Sequence, residues 1–142
     1  MKILYAETSA VLAWLLGEKS PRQPAAAIDS AERVVTSVLT LLEASRGILR
    51  AANERRLTAA DASRLKGLLA RSATGWDLME ITEDIRVRAA EAFPVEPVRT
   101  LDAVHLATML DFAKVFPEMS ILSLDARIIA NLDPLGLPRA GF

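Results

Sequence analysis

The chain has 142 residues, the span of one domain, and its 17 basic and 18 acidic residues leave a formal charge of −1, so no field over the whole molecule draws in a polyanion and any such attraction must be local. With no cysteine, disulfides, thiol nucleophiles, iron–sulfur clusters and cysteine-based zinc sites are all excluded. The single histidine, His105, rules out paired-histidine zinc motifs and leaves one ring for any Ser-His-Asp triad, so a metal here would be held mainly by oxygen.

Ile3–Ala6 is a short apolar run that stops at Glu7-Thr8-Ser9 and gives way to residues 10–16 and Gly17, the pattern of a buried strand leading into a helix. Residues 17–24 read as a loop, and Pro24 opens a small alanine-rich helix ending near Glu32. Residues 33–36 supply a second strand. From Val38, the positions Leu41, Leu42, Ser45, Ile48, Leu49 and Ala52 recur at helical spacing up to about Asn53. Residues 58–71 form another helix, with Asp61 in its first turn. Residues 76–81 are the third strand, and Thr82 caps a helix carrying Ile85, Val87, Ala89 and Ala90. Phe93-Pro94-Val95-Glu96-Pro97 breaks it. Thr100 then opens residues 101–116, apolar on nearly every side and therefore central. After Pro117, residues 120–124 form a strand stopped by Asp125, followed by a short helix through Asn131 and a turn-rich tail.

This alternation predicts one α/β domain over residues 1–142, with right-handed crossovers and a parallel sheet of four to five strands flanked by helices. Functional groups then belong at the carboxyl ends of the strands. The longest uncharged runs, such as residues 8–17, fall short of the roughly 20 residues that span a bilayer. A strand starting almost at Met1 is no signal sequence. The expectation is a soluble cytoplasmic protein with no membrane partner.

Glu7 follows the first strand and Asp125 the last; if those strands are neighbours about 4.8 Å apart, their carboxylates lie within several ångströms. Such repulsion is relieved by a raised pKa, by an Arg or Lys, or by a divalent cation. Glu43, on the helix after the second strand, and Asp102, in the first turn of the central helix, extend the set to four acids. Each also has a plain structural role: Asp125 as an N-cap, Asp102 on a helix dipole, Glu43 paired with Arg46. Glu7, between a buried strand and a buried helix, is the hardest to explain this way, because an unpaired buried charge is costly.

Tyr5-Ala6-Glu7-Thr8-Ser9-Ala10-Val11 resembles the opening strand-turn of PIN-domain ribonucleases, especially VapC-type toxins of bacterial toxin-antitoxin pairs, whose pattern there is Asp-Thr-Ser-Ala. Glu43 in Leu41-Leu42-Glu43-Ala44 matches the second acid, and residues 100–108, with Asp102, are similar to the third. Ser123-Leu124-Asp125-Ala126-Arg127 resembles the fourth. The departure is Glu7, where the family usually has Asp. The resemblance implies a three-layer PIN-like fold and a metal-dependent endoribonuclease using Mg2+ or Mn2+. It carries Glu7, Glu43, Asp102 and Asp125 over as catalytic acids. Glu7, Asp102 and Asp125 would be metal ligands, Glu43 a water-orienting acid or second ligand, and Ser9 and Ser123 supports for the carboxylates. It also implies an RNA substrate, a cognate antitoxin and a homodimer.

Between Glu43 and Arg71 seven basic residues face three acids, and Arg46 and Arg50 are the candidate RNA contacts; a solvated hairpin or an antitoxin surface explains the same charges. Tyr5, Trp14 and Trp76 lie in apolar runs and are read as core, and His105 as a hydrogen-bonded core histidine. Two other readings stand beside the nuclease. One is a PIN-fold binding module that keeps its protein partner but is catalytically weakened by Glu7. The other is a phosphoacceptor or magnesium phosphatase domain on a similar sheet, which Ser123-Leu124-Asp125-Ala126-Arg127 fits poorly. No glycine pattern supports a phosphate-binding loop.

Overall fold

The computed structural model describes residues 2–17 and 22–141. In chain order the elements are β1 (Ile3–Ala6), α1 (Thr8–Leu16), α2 (Arg22–Ser30), β2 (Arg33–Ser37), α3 (Val38–Asn53), α4 (Ala59–Ala73), β3 (Asp77–Met79), α5 (Glu83–Ala89), α6 (Thr100–Val115), β4 (Ser120–Leu122) and α7 (Ala126–Leu132). All strand pairs are parallel, in the order β3-β2-β1-β4. The predicted parallel sheet therefore has four strands.

Successive strand residues point to opposite faces, and here both faces are buried. Leu4, Ala6, Val34 and Leu122 join one core with Val11, Leu15, Ile48, Leu65 and Leu69 from α1, α3 and α4. Ile3, Tyr5, Val35 and Ile121 join the other, with Leu106, Met109 and Phe112 of α6 and Ile128 of α7. The result is three layers. Near-continuous apolar strands are the sequence form of that double burial, and α6, buried along most of its length, is apolar all round for the same reason. A small third cluster, Leu39 with Ile85, Val104 and Ala107, brings the start of α3 to α5 and α6.

Several boundaries differ from expectation. The helix after β1 begins at Thr8 rather than residue 10, because the Glu7 carboxylate accepts the Ser9 amide and caps the helix. α2 begins at Arg22, so Pro24 sits in its first turn, where no intrahelical donor is required; the loop expected over 17–24 lies partly outside the described residues. β3 is three residues long instead of six, because it is an edge strand pairing only with Val35–Ser37 of β2. β4 stops at Leu122 rather than residue 124, because its partner β1 ends at Ala6. Gly17 closes α1 in the left-handed region at φ 62°, its amide reaching the Ala13 carbonyl, a conformation that penalises any residue with a Cβ.

Candidate active site

Register builds the site. Ala6 lies opposite Leu122 in the β1–β4 ladder, and the residue after each strand is polar: Glu7 and Ser123 leave the sheet side by side, with the Glu7 amide donating to the Leu122 carbonyl at 3.0 Å. Glu7 is 4% exposed. Its carboxylate accepts the Ser9 hydroxyl at 2.5 Å and the Ser123 hydroxyl at 2.6 Å on Oε1, and the Ser9 amide at 3.1 Å on Oε2. Three donors balance a buried negative charge that would otherwise be costly. Ser123 Oγ in turn accepts the Asp125 amide at 3.1 Å, and Ser9 Oγ the Leu124 amide at 2.8 Å. The two serines thereby tie the end of β1 to the turn that carries Asp125.

Asp125 caps α7, Oδ1 accepting the amides of Arg127 and Ile128 at 2.9 and 3.3 Å. Its other oxygen lies 3.4 Å from Nη2 of Arg99, whose Nε donates to Asp102 Oδ2 at 3.1 Å. One guanidinium thus joins the first turn of α6 to the start of α7. Hydrogen bonding to Asp102 and its charge, then the charges of Asp125 and Glu43, raise the Arg99 pKa above its ordinary value. Three acids act on one cation.

Glu43 comes from the other side of the sheet. Ser37 caps α3 through the Leu39 amide at 3.0 Å, and Glu43, on the second turn, turns to α1 and α6 rather than to Arg46. Its Oε1 accepts Thr8 Oγ1 at 2.6 Å and pairs with His105 Nε2 at 2.6 Å. Burial alone would raise the Glu43 pKa, but the hydrogen bonds from His105 and Thr8, with the charges of His105 and Arg99, outweigh it and hold the carboxyl below the usual range. His105 is buried, as expected of a core histidine, and its Nδ1 meets the Tyr5 hydroxyl at 3.0 Å. Burial, then the charge of Glu7, pushes the Tyr5 pKa far up, so the phenol stays protonated.

The model of the family described as PIN domain matches residues 4–113. The chain belongs to the PIN-domain family. It is also 34% identical over 137 residues to Ribonuclease VapC35 of Mycobacterium tuberculosis, in strains CDC 1551 / Oshkosh and ATCC 25618 / H37Rv, covering 95% of this chain and 93% of each relative.

In this PIN domain the oxygen donors suit a hard divalent cation in kind. Mg2+ is typically held by one or two carboxylates plus water and substrate phosphate, and Asp102 and Asp125 already converge on one positive group. A carboxylate offers about four lone-pair sites; Glu7 uses three, leaving one on Oε2. Among the described residues no three His, Asp or Glu side chains form a ready-made metal cage, and Arg99 bridges Asp102 and Asp125. Arg46 and Arg50 are exposed and line a groove of about 410 Å³ with Thr8, Leu12, Leu42, Glu43 and Leu101. Trp14 and Trp76 pack on each other, centroids 6.0 Å apart. The sequence reading of this PIN domain missed Arg99, Thr8 and the contact of His105 with Glu43. The spacing Arg99-x-x-Asp102 was the available signal for the first; nothing local marks the others.

Proposed function

We propose that this PIN domain is a metal-dependent endoribonuclease, the toxin of a toxin-antitoxin pair, working in the cytoplasm as a homodimer and restrained by a cognate antitoxin. The observation that carries the reading is that Glu7, Asp102 and Asp125 are linked where β1 and β4 end through Ser123, Ser9 and Arg99, with Glu43 joined to the same end of the sheet through Thr8 and His105, in a chain of this family. The relative at 34% identity is named a ribonuclease, which supports the same class.

Glu7, Asp102 and Asp125 would hold Mg2+ or Mn2+, which when bound supplies an activated water and neutralises charge growing on the phosphate. Ser9 and Ser123 fix Glu7, and the cap fixes Asp125. Glu43, ionised and held from one side through Oε1, keeps Oε2 to orient a water or accept its proton. Arg46 and Arg50 contact phosphates of the RNA along the groove that begins at Glu43.

The test is cleavage of RNA oligonucleotides by the purified protein with Mg2+ or Mn2+. Cleavage is expected to stop with EDTA and in Asp102→Asn; undiminished cleavage in both overturns the metal mechanism. The second reading, a weakened PIN-fold binding module, draws on Glu7 in place of Asp and on Arg99 bridging Asp102 and Asp125. It predicts no cleavage with either metal and intact binding of the antitoxin.

A further inference from the structure

We propose that His105, backed by Tyr5 and Thr8, is the positioning device for Glu43, so that the rate of RNA cleavage depends on a buried relay running through the sheet edge; this rests on the ribonuclease reading above.

Glu43 belongs to α3 in one helical layer, and His105 to α6 in the other. They meet only because the end of β1 lies between them. Tyr5, on β1, points to the α6 side, while Thr8 opens α1. Tyr5, Thr8 and His105 are each buried, and among the described residues no buried side-chain polar atom lacks a partner.

The proton positions follow from chemistry. An ionised Glu43 is acceptor-only, so at 2.6 Å His105 Nε2 must carry hydrogen. The Thr8 hydroxyl gives its own hydrogen to the same oxygen at 2.6 Å and lies 3.1 Å from Nε2, where it accepts a share of that N–H. With the Nε2 hydrogen directed at Glu43, the other ring nitrogen, Nδ1, meets the Tyr5 hydroxyl at 3.0 Å. Tyr5 also meets the ring edge-on, at a centroid distance of 6.3 Å, so the imidazole is fixed in both rotation and tilt. Both Glu43 donors come to Oε1, leaving Oε2 without a hydrogen bond from the relay. A carboxylate pinned through one oxygen presents the other in a set direction, and a catalytic group displaced by about 1 Å can lose roughly a hundredfold in rate.

The discriminating comparison is His105→Leu against His105→Gln, whose amide can still donate toward Glu43. Steady-state cleavage of one RNA oligonucleotide is measured at saturating metal, with RNA affinity and thermal melting alongside. His105→Leu is expected to lower kcat about 10- to 100-fold, with KM and RNA affinity changed less than threefold. His105→Gln recovers most of kcat, and Tyr5→Phe shows a smaller loss than His105→Leu. Placed in Glu43→Gln, His105→Leu causes no further fall in kcat. Independent, multiplying losses in that double variant overturn the proposal, as does a His105→Gln whose kcat is no better than that of His105→Leu. If His105→Leu does not fold, Tyr5→Phe and His105→Gln carry the comparison. Cleavage that is lost in Asp102→Asn but full in all three relay variants refutes the relay alone, whereas no cleavage by the unaltered protein refutes the underlying reading with it.

Discussion

Ser123→Ala tests whether the serine bridge holds the site together. Ser123 is 1% exposed and Glu7 4%, so water cannot readily replace the hydroxyl. The substitution removes a single oxygen and hardly alters packing. It deletes the 2.6 Å bond to Glu7 Oε1 and the 3.1 Å bond from the Asp125 amide. A hydrogen bond to a buried charged group contributes about 1.5–3 kcal/mol, and an amide left without its acceptor adds up to about 1 kcal/mol. The expected cost is therefore about 1.5–4 kcal/mol, a fall in Tm on the order of 5–13 °C for a chain of this size. Urea unfolding would show it as a lower midpoint with an unchanged m-value. In a Glu7→Gln background the same substitution should cost about half as much, since the bond is no longer charge-assisted. A loss below about 0.5 kcal/mol, or an equal loss in both backgrounds, would refute the bridge.

The depressed Glu43 carboxyl makes a pH prediction: a folded pKa below the usual 4.5 stabilises the fold above that value, and the gain disappears as pH falls through the lower, folded pKa. Melting curves from pH 7 to pH 3 should find Glu43→Gln less stable than the parent at neutrality and the gap closing in acid; a constant gap argues against it. Arg99→Gln removes the cation that Asp102 and Asp125 share, and because the guanidinium is exposed, calorimetry should find Mn2+ binding only about two- to fivefold tighter; weaker binding would mean that Arg99 does not compete with the metal. Gly17→Ala puts a Cβ on a residue at φ 62° with open space around it, so chemical denaturation should register a loss of about 1 kcal/mol from backbone strain alone. No loss would mean that the end of α1 relaxes freely.

Local pattern was enough for the order of elements, the parallel sheet and the places of Glu7, Asp102 and Asp125 at strand and helix ends, because strand runs, caps and helical spacing are set by residues within a few positions of one another. Thr82 caps its helix as read, and the apolar circumference of residues 101–116 announced a helix in the middle of the molecule. What a carboxylate touches is a different matter. Glu43 was weighed against Arg46, three residues away, yet it pairs with His105, 62 residues away, which itself meets Tyr5 across 100. Nothing in a helical repeat encodes such partners; they meet because β1 lies between β2 and β4, bringing the start of α3 and the start of α6 to the same edge. Glu7 shows both levels at once. Its place after a buried strand is written in the chain, but the charge is tolerable only because the register sets Ser123 beside it. Chain order therefore specifies which groups reach the edge, and the packing of three layers decides which of them touch, since a hydrogen bond depends on distance in space and not on separation in sequence.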